Sequence, residues 1–145
     1  DTMRLVLRDY CSLDKVCLIY REFPLQNHAY SREAARYSIA AQKLGRLQWL
    51  AVLDSLYAEQ ALWSEKGTVQ ATVARALSPE DFQKVLKLVQ DPSINGTIER
   101  DIALGQKRDV QSTPTFFVTA LGKEQKAVGF LPYNVLKQFF DRIVR

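Results

Sequence analysis

Cys11, Cys17 and His28 are the residues of this 145-residue sequence whose side chains act most readily as nucleophiles, acid–base groups or metal ligands. Cys11 is predicted near the C-terminal end of a helix, where the helix dipole disfavours a thiolate. Cys17 falls in an apolar segment, where burial also disfavours a thiolate. A structural disulfide between the two stays open, but the simpler interpretation is two small buried hydrophobic residues. The three residues lack a recognised ligand spacing, so no metal site is predicted, and His28 is expected to have a local structural role.

The segment Ser112-Thr113-Pro114 introduces an aromatic and β-branched run over residues 115–118. Proline cannot donate a hydrogen bond to a β-ladder, so this is an unusual start for a central strand. If Pro114 is cis, the preceding backbone turns outward and Thr113 can pair with an extended peptide. A trans proline at the first residue of the strand is the alternative interpretation.

The composition fits one domain with a hydrophobic core, since 47% of the residues are hydrophobic. The net charge of +4 is modest, and the basic residues are scattered among acidic ones without a basic stripe. Nucleic-acid binding is therefore not predicted. The longest apolar runs, such as residues 16–20, are far shorter than the roughly 20 residues that span a bilayer, so no membrane span is predicted.

The first residues have the spacing of a helix already under way. Met3, Val6 and Tyr10 recur at helical intervals, and the helix is predicted to end at Leu13-Asp14. Residues 16–23 are predicted to form a strand of a parallel sheet, covered on both faces, because the first half is apolar on both faces.

Helices are predicted over most of residues 31–107. Ser31 is a candidate N-cap, and Ser78-Pro79 and Asp91-Pro92 combine a capping side chain with proline at the first helical position. After Asp91, isoleucines at positions 94, 98 and 102 form one apolar stripe of a helix that runs to about Lys107.

The last third of the sequence changes from helical to strand periodicity. Residues 115–119 are predicted as a strand, residues 122–124 as a turn and residues 126–130 as the hairpin partner. Pro132 then opens a helix with a core stripe formed by Val135, Leu136, Phe139, Phe140 and Ile143. The order of elements predicts an α/β fold with a large helical insertion.

Over nearly its whole length the sequence resembles the DsbA-like branch of the thioredoxin superfamily. The resemblance lies in the order and spacing of several segments rather than in any one of them. They are Arg21-Glu22-Phe23-Pro24-Leu25 with His28, the helix containing Ala34-Ala35, the stretch from Leu53 to Trp63, residues 110–118 around Pro114, and Gly129 with Pro132-Tyr133.

The resemblance implies a single DsbA-like domain over residues 1–145. Its thioredoxin part would be residues 1–27 and 108–145, and its helical insertion residues 28–107. Ser112, Thr113 and Pro114 would bind substrate, with the Thr113 backbone adding to an extended peptide as a neighbouring strand does. No cofactor is implied.

The family's activity usually resides in a Cys-x-x-Cys pair at the start of the first helix, where the helix N-terminus stabilises the attacking thiolate. This sequence contains no Cys-x-x-Cys, so no catalytic residue is expected within it. Because the sequence enters a helix at once, we expect the first core strand and the redox pair to lie upstream of residue 1.

The function implied by the resemblance is thiol–disulfide oxidoreductase or disulfide isomerase activity on proteins or peptides, in an extracytoplasmic, periplasmic setting and with a redox partner protein. Two other classes stay open. One is a redox-inactive peptide-binding module, a chaperone or adaptor that uses the groove at Thr113-Pro114. The other is an enzyme similar to the kappa-class glutathione transferases, for which a serine upstream would be expected.

Overall fold

The computed structural model describes residues 2–13 and 16–143. In these residues the fold is mixed α/β and mostly helical, as the sequence predicted, with a thioredoxin-like arrangement and a helical insertion. The two strands are β1 (Thr115–Ala120) and β2 (Lys123–Val128), and Cys11–Leu13 is a short 3-10 helix. The α-helices are α1 (Thr2–Asp9), α2 (Ser31–Leu44), α3 (Arg46–Ala58), α4 (Gln60–Lys66), α5 (Val69–Ala76), α6 (Pro79–Leu88), α7 (Pro92–Lys107) and α8 (Tyr133–Ile143).

The chain divides into two compact units. One combines residues 1–21 with residues 109–145 and contains α1, the hairpin and α8. The other is residues 22–108 and contains α2 to α7.

The helical unit is built around α2, whose alanine-rich middle lets neighbouring helices approach closely. Ala40 and Ala41 are completely buried, and α2 packs against α3, α5, α6 and α7. Ile94 and Ile98 of α7 are also completely buried, which confirms that the predicted isoleucine stripe faces the core.

Two of the predicted helix starts are confirmed. The Ser78 hydroxyl accepts a hydrogen bond from the Asp81 N–H at 3.2 Å, and Asp91 Oδ1 accepts one from the Ser93 N–H at 2.8 Å. Each cap accepts a hydrogen bond from an N–H group that has no partner within the helix. Proline suits the first helical position because its missing N–H would have had no partner there.

The predicted cap at Ser31 is wrong. Ser31 is the first residue of α2, and Tyr30 stands at the cap position without a capping side chain. The Ser31 hydroxyl instead donates to the Leu25 and His28 carbonyl oxygens, at 3.0 and 2.8 Å. The same hydroxyl can therefore close the preceding turn instead of capping the helix.

In the other unit, α1 and α8 pack together through a small apolar cluster. Val6 and Tyr10 of α1 and Leu136 and Phe140 of α8 are buried there, and the Tyr10 and Phe140 rings lie 5.1 Å apart. The Tyr10 hydroxyl donates to Asp141 Oδ1 at 2.6 Å. These contacts confirm the predicted stripe except at Val135, which is exposed.

α1 ends earlier than predicted. Its α-helical residues stop at Asp9 and the 3-10 helix continues to Leu13, while Asp14 lies outside the described residues. The Asp9 carboxylate accepts a hydrogen bond from the Tyr133 hydroxyl at the start of α8. Hydrogen bonds from Arg8 and from Tyr133 lower the pKa of Asp9 to about 2.

The hairpin turn is tighter than predicted. β1 and β2 pair antiparallel, from Thr115 opposite Val128 to Ala120 opposite Lys123, so only Leu121 and Gly122 connect them. Both have positive φ, 51° and 73°. Such a two-residue turn matches the twist of the strands, but its left-handed geometry suits glycine and not leucine. The prediction of a turn at 122–124 was wrong because Leu121 gives no turn signal.

The predicted strand over residues 16–23 is also absent. In the described part of the chain, residues 16–25 belong to no strand, and β1 has β2 as its only strand partner. A segment is a β-strand only when its main chain hydrogen-bonds to a neighbouring strand, and an apolar sequence pattern does not supply that neighbour. Ile19 is accordingly 66% exposed. Cys17 is exposed too, which corrects its interpretation as a buried residue.

The strained turn gives a test of the hairpin geometry. Leu121→Asn should raise the free energy of unfolding by about 0.5–1 kcal/mol, because asparagine tolerates positive φ better than leucine. Little burial is lost, since Leu121 is 86% exposed. Leu121→Val, which is β-branched, should lower stability instead. Urea unfolding of the three proteins measures both changes, and equal stability for Asn and Val would contradict the left-handed turn.

Candidate functional site

The loop before β1 adopts the cis alternative of the two that the sequence left open. The Thr113–Pro114 peptide bond is cis, and residues 111–114 are all exposed. Hydrogen bonds fix the loop on both sides of Thr113. The Pro114 carbonyl oxygen accepts from the Gly129 N–H at 2.8 Å, and the Ser112 carbonyl oxygen accepts from the Thr115 hydroxyl at 2.6 Å.

Thr113 lies between these two fastened positions. No hydrogen bond links its main-chain N–H or C=O to any other residue in the described ranges 2–13 and 16–143. Main-chain groups of this kind bond either to water or to a ligand's main chain. Ser112, Thr113 and Pro114 therefore form one exposed loop in which the Thr113 main-chain donor and acceptor have no partner among the described residues. Their role in substrate binding stays a prediction.

An exposed apolar surface adjoins the loop, and the sequence did not reveal it. Val128 is 60% exposed and Phe130 74% exposed. They flank Gly129, whose N–H bonds to Pro114, so both lie next to the loop. The sequence predicted Phe130 as part of the hairpin partner strand, but β2 ends at Val128, so Phe130 lies beyond the strand. Finding this exposed surface from the sequence would have required the register of the hairpin.

The cysteines and the histidine do not form a site. In the described residues, no disulfide joins Cys11 to Cys17 and no group of three or more histidine, cysteine or acidic residues is placed to hold a metal ion. His28 is exposed in the turn before α2. Its N–H donates to Leu25 and its carbonyl oxygen accepts from the Ser31 N–H, both at 3.1 Å, so its main chain shapes the turn.

Glu22, in the helical unit, has a raised pKa that the sequence did not predict. Its N–H donates to Oδ2 of the buried Asp101 at 3.0 Å. Burial raises the pKa of Glu22 to about 7, a hydrogen bond with Ser38 acts against the rise, and the charge of Asp101 adds to it. Near Glu22, the Phe23 ring lies so close to Gly105 of α7 that a Cβ there would be 2.5 Å from the ring. The hydrogen bond to Asp101 and the contact of Phe23 with Gly105 thus hold Glu22 against α7.

The comparisons with known proteins place the chain in a family. A family model described as Thioredoxin matches residues 2–125. This match covers most of the chain, which therefore belongs to the thioredoxin family. No curated protein and no solved structure matches it. Among the described residues, none of the helices has the length and apolar character that crossing a membrane requires.

Glu22 predicts a pH-dependent stability. Its carboxyl binds a proton more tightly in the folded protein than at the ordinary pKa of 4.5, so the free energy of unfolding should fall as pH rises from about 4.5 to about 7. Glu22→Gln should remove this loss and stabilise the protein at about pH 8 by on the order of 1–3 kcal/mol.

Urea unfolding at about pH 5 and pH 8 measures the effect, with the exposed Glu65→Gln on α4 as the control. The control should leave the wild-type slope in place. An unchanged slope in Glu22→Gln would show that Glu22 titrates normally in the folded protein.

Proposed function

We propose that this chain belongs to a thiol–disulfide oxidoreductase of DsbA-like type that acts on disulfides of proteins or peptides. The observation that carries the proposal is the exposed loop at Ser112, Thr113 and Pro114, in which the Thr113 main chain has no hydrogen-bond partner among the described residues. Membership of the thioredoxin family supports the chemistry.

In the proposed reaction, a thiolate attacks one sulfur of a substrate disulfide. A mixed disulfide forms, and the other substrate sulfur leaves as a thiolate. A second thiol of the protein then attacks the mixed disulfide, so the substrate leaves as a dithiol and the protein's pair is oxidised. The reverse sequence oxidises a substrate dithiol. In isomerisation, the released substrate thiolate attacks another disulfide of the same substrate, and the thiolate freed there displaces the protein's thiolate from the mixed disulfide, with no net oxidation.

The redox pair is proposed to precede residue 1, because the sequence contains no Cys-x-x-Cys. The residues of this chain would supply recognition. The Thr113 N–H and C=O would bond to the main chain of an extended substrate, which tolerates many sequences because side chains are not read. Exposed Val128 and Phe130 would cover apolar substrate residues beside the disulfide.

The same resemblance supports two finer proposals. We propose that residues 1–27 and 108–145 are the thioredoxin part and residues 28–107 the helical insertion of one DsbA-like domain. We also propose an extracytoplasmic, periplasmic setting with a partner protein that resets the redox pair.

A redox-inactive peptide-binding module is the second candidate. The observation that favours it is that the exposed loop at Ser112, Thr113 and Pro114 occurs in a sequence without a Cys-x-x-Cys. Such a module would bind unfolded peptides whether or not they contain thiols. Binding that is insensitive to thiol blocking, together with no disulfide exchange by the natural polypeptide, would support this candidate over the oxidoreductase.

Main-chain recognition at Thr113 can be tested with a pair of variants. Thr113→Pro removes the N–H and should weaken binding of a fluorescent unfolded peptide roughly tenfold, the effect of losing one hydrogen bond of about 1–1.5 kcal/mol. Thr113→Val keeps the N–H and should bind nearly as the wild type does. Fluorescence anisotropy measures the dissociation constants, and circular dichroism checks that both variants fold.

Two outcomes would contradict recognition by the main chain. Thr113→Val could bind as weakly as Thr113→Pro, which would assign recognition to the threonine side chain. A folded Thr113→Pro could bind as tightly as the wild type, which would place the peptide elsewhere.

A further inference from the structure

The strand β2 has an outer edge on which the described part of the chain places no other strand. Its residues are exposed except for Ala127, which is half-buried. Proline and glycine, the residues that interrupt strand pairing, are absent from it. Such an edge presents a row of main-chain groups to which a further strand can bind.

The register of the hairpin shows which main-chain groups point to this edge. In an antiparallel pair, residues that exchange hydrogen bonds with the neighbouring strand alternate with residues that do not. Gly129 donates to Pro114 at 2.8 Å, one step beyond the last pair of the register, so the odd-numbered residues of β2 bond to β1. The N–H and C=O groups of the even-numbered residues, Glu124, Lys126 and Val128, therefore point to the outer edge.

We infer that the outer edge of β2 binds the same edge of a second copy of the chain, in an antiparallel pair with its two-fold axis at Gln125. In this register Glu124 lies opposite Lys126 of the second copy, and Lys126 lies opposite Glu124 of the second copy. Both residues direct their main-chain groups to the edge, so each of these two pairs can exchange two hydrogen bonds. The surface is then complementary to itself, as a two-fold dimer requires.

The charges of β2 favour this register over the nearest registers in which outward-pointing groups face each other. An axis at Glu124 would place two carboxylates opposite each other, and an axis at Lys126 would do the same with two ammonium groups. Opposite charges that face each other across strands stabilise a pair, and like charges destabilise it. Lysine on a sheet edge usually opposes pairing, but in the inferred register Lys126 faces a carboxylate.

The contacts that Glu124 and Lys126 make within the hairpin are compatible with this pairing. Glu124 Oε2 accepts from the Thr119 hydroxyl at 3.3 Å. Lys126 Nζ donates to the Asp109 carbonyl oxygen, lies 3.8 Å from Asp109 Oδ2 and lies 5.8 Å from the centre of the Phe117 ring. A carboxylate has two oxygens and an ammonium group has three donors, so both side chains can add a contact across the edge.

Exposed apolar side chains at the two ends of β2 fit the same register. Leu121 is 86% exposed, Phe130 74% and Val128 60%. In the inferred pair, Leu121 lies opposite Gly129 of the second copy, which Val128 and Phe130 flank. The two-fold axis repeats this contact at the other end, so all three side chains of each copy would be removed from water, which favours association.

The inferred dimer goes beyond the proposed function and does not depend on it. Val128 and Phe130 are also proposed to contact substrate, so a second copy and a bound peptide would exclude each other at these residues. The tests of the dimer need no substrate and no redox chemistry. Their failure would therefore leave the proposed disulfide exchange untouched.

A cysteine on the two-fold axis tests the pairing directly in the natural polypeptide, with its own cysteines replaced by serine. Gln125→Cys places two cysteines opposite each other, where facing Cβ atoms are roughly 4.5–5.5 Å apart. Lys123→Cys is the exposed control on the same face, but its two copies would lie about 13 Å apart along the strands, too far for a disulfide. Mild oxidation should cross-link Gln125→Cys at least tenfold faster than Lys123→Cys, as measured by non-reducing electrophoresis.

Exchanging the two charges tests the register. Glu124→Lys and Lys126→Glu each place like charges opposite each other in both symmetric pairs, so each should raise the dissociation constant of the dimer roughly tenfold. The double variant restores opposite charges and keeps the net charge, so its dissociation constant should return to within about threefold of the wild-type value. Analytical ultracentrifugation at about 1–500 µM measures these constants, and circular dichroism checks that each variant folds.

Each of four results would overturn the inference. The natural polypeptide could remain monomeric, which would leave the edge to a different protein. Gln125→Cys could cross-link no faster than Lys123→Cys, and the charge-exchanged double variant could dimerise as weakly as the single variants. Amide hydrogen exchange could show the outward-pointing N–H groups of β2 protected in a monomer, which would assign the edge to another segment of the same polypeptide.

Discussion

Main-chain hydrogen bonding is the constraint on which this structure depends. Each helix satisfies its own interior groups, and the caps at Ser78 and Asp91 satisfy donors at two helix starts. A strand cannot do this alone, because its donors and acceptors point sideways toward neighbours. The hairpin satisfies one edge of β1, and among the described residues β2 is the only strand that pairs with it.

The same constraint explains what could be predicted from the sequence. Helix starts depend on a few adjacent residues, so Ser78-Pro79 and Asp91-Pro92 were predicted correctly. The isoleucine stripe of α7 repeats at helical spacing and was also correct. The strand at residues 16–23 was wrong because its existence depends on a partner that local pattern cannot supply. The hairpin turn was misplaced because Leu121 is not a residue that such turns favour.

The candidate site likewise has one part that a local sequence signal indicates and other parts that only the fold determines. Ser112-Thr113-Pro114 could be singled out from the sequence as a candidate because proline before a β-branched run is a local signal, and the bond before Pro114 is cis, one of the two alternatives left open. Phe130 could not be found, since its exposure beside Pro114 follows from the register of the hairpin. The pKa of Glu22 follows from burial beside Asp101, which is 79 residues away in sequence. Such long-range neighbours come from the fold alone.

The central claim is that this chain provides the recognition surface of a protein with a redox-active cysteine pair. The most direct test is the intact mass of the polypeptide from its natural source, with thiols alkylated before and after reduction. The proposed function predicts a mass above 16.6 kDa and, beyond Cys11 and Cys17, a pair of cysteines that become alkylatable only after reduction. A natural polypeptide in which only Cys11 and Cys17 react would contradict the oxidoreductase and leave the peptide-binding module.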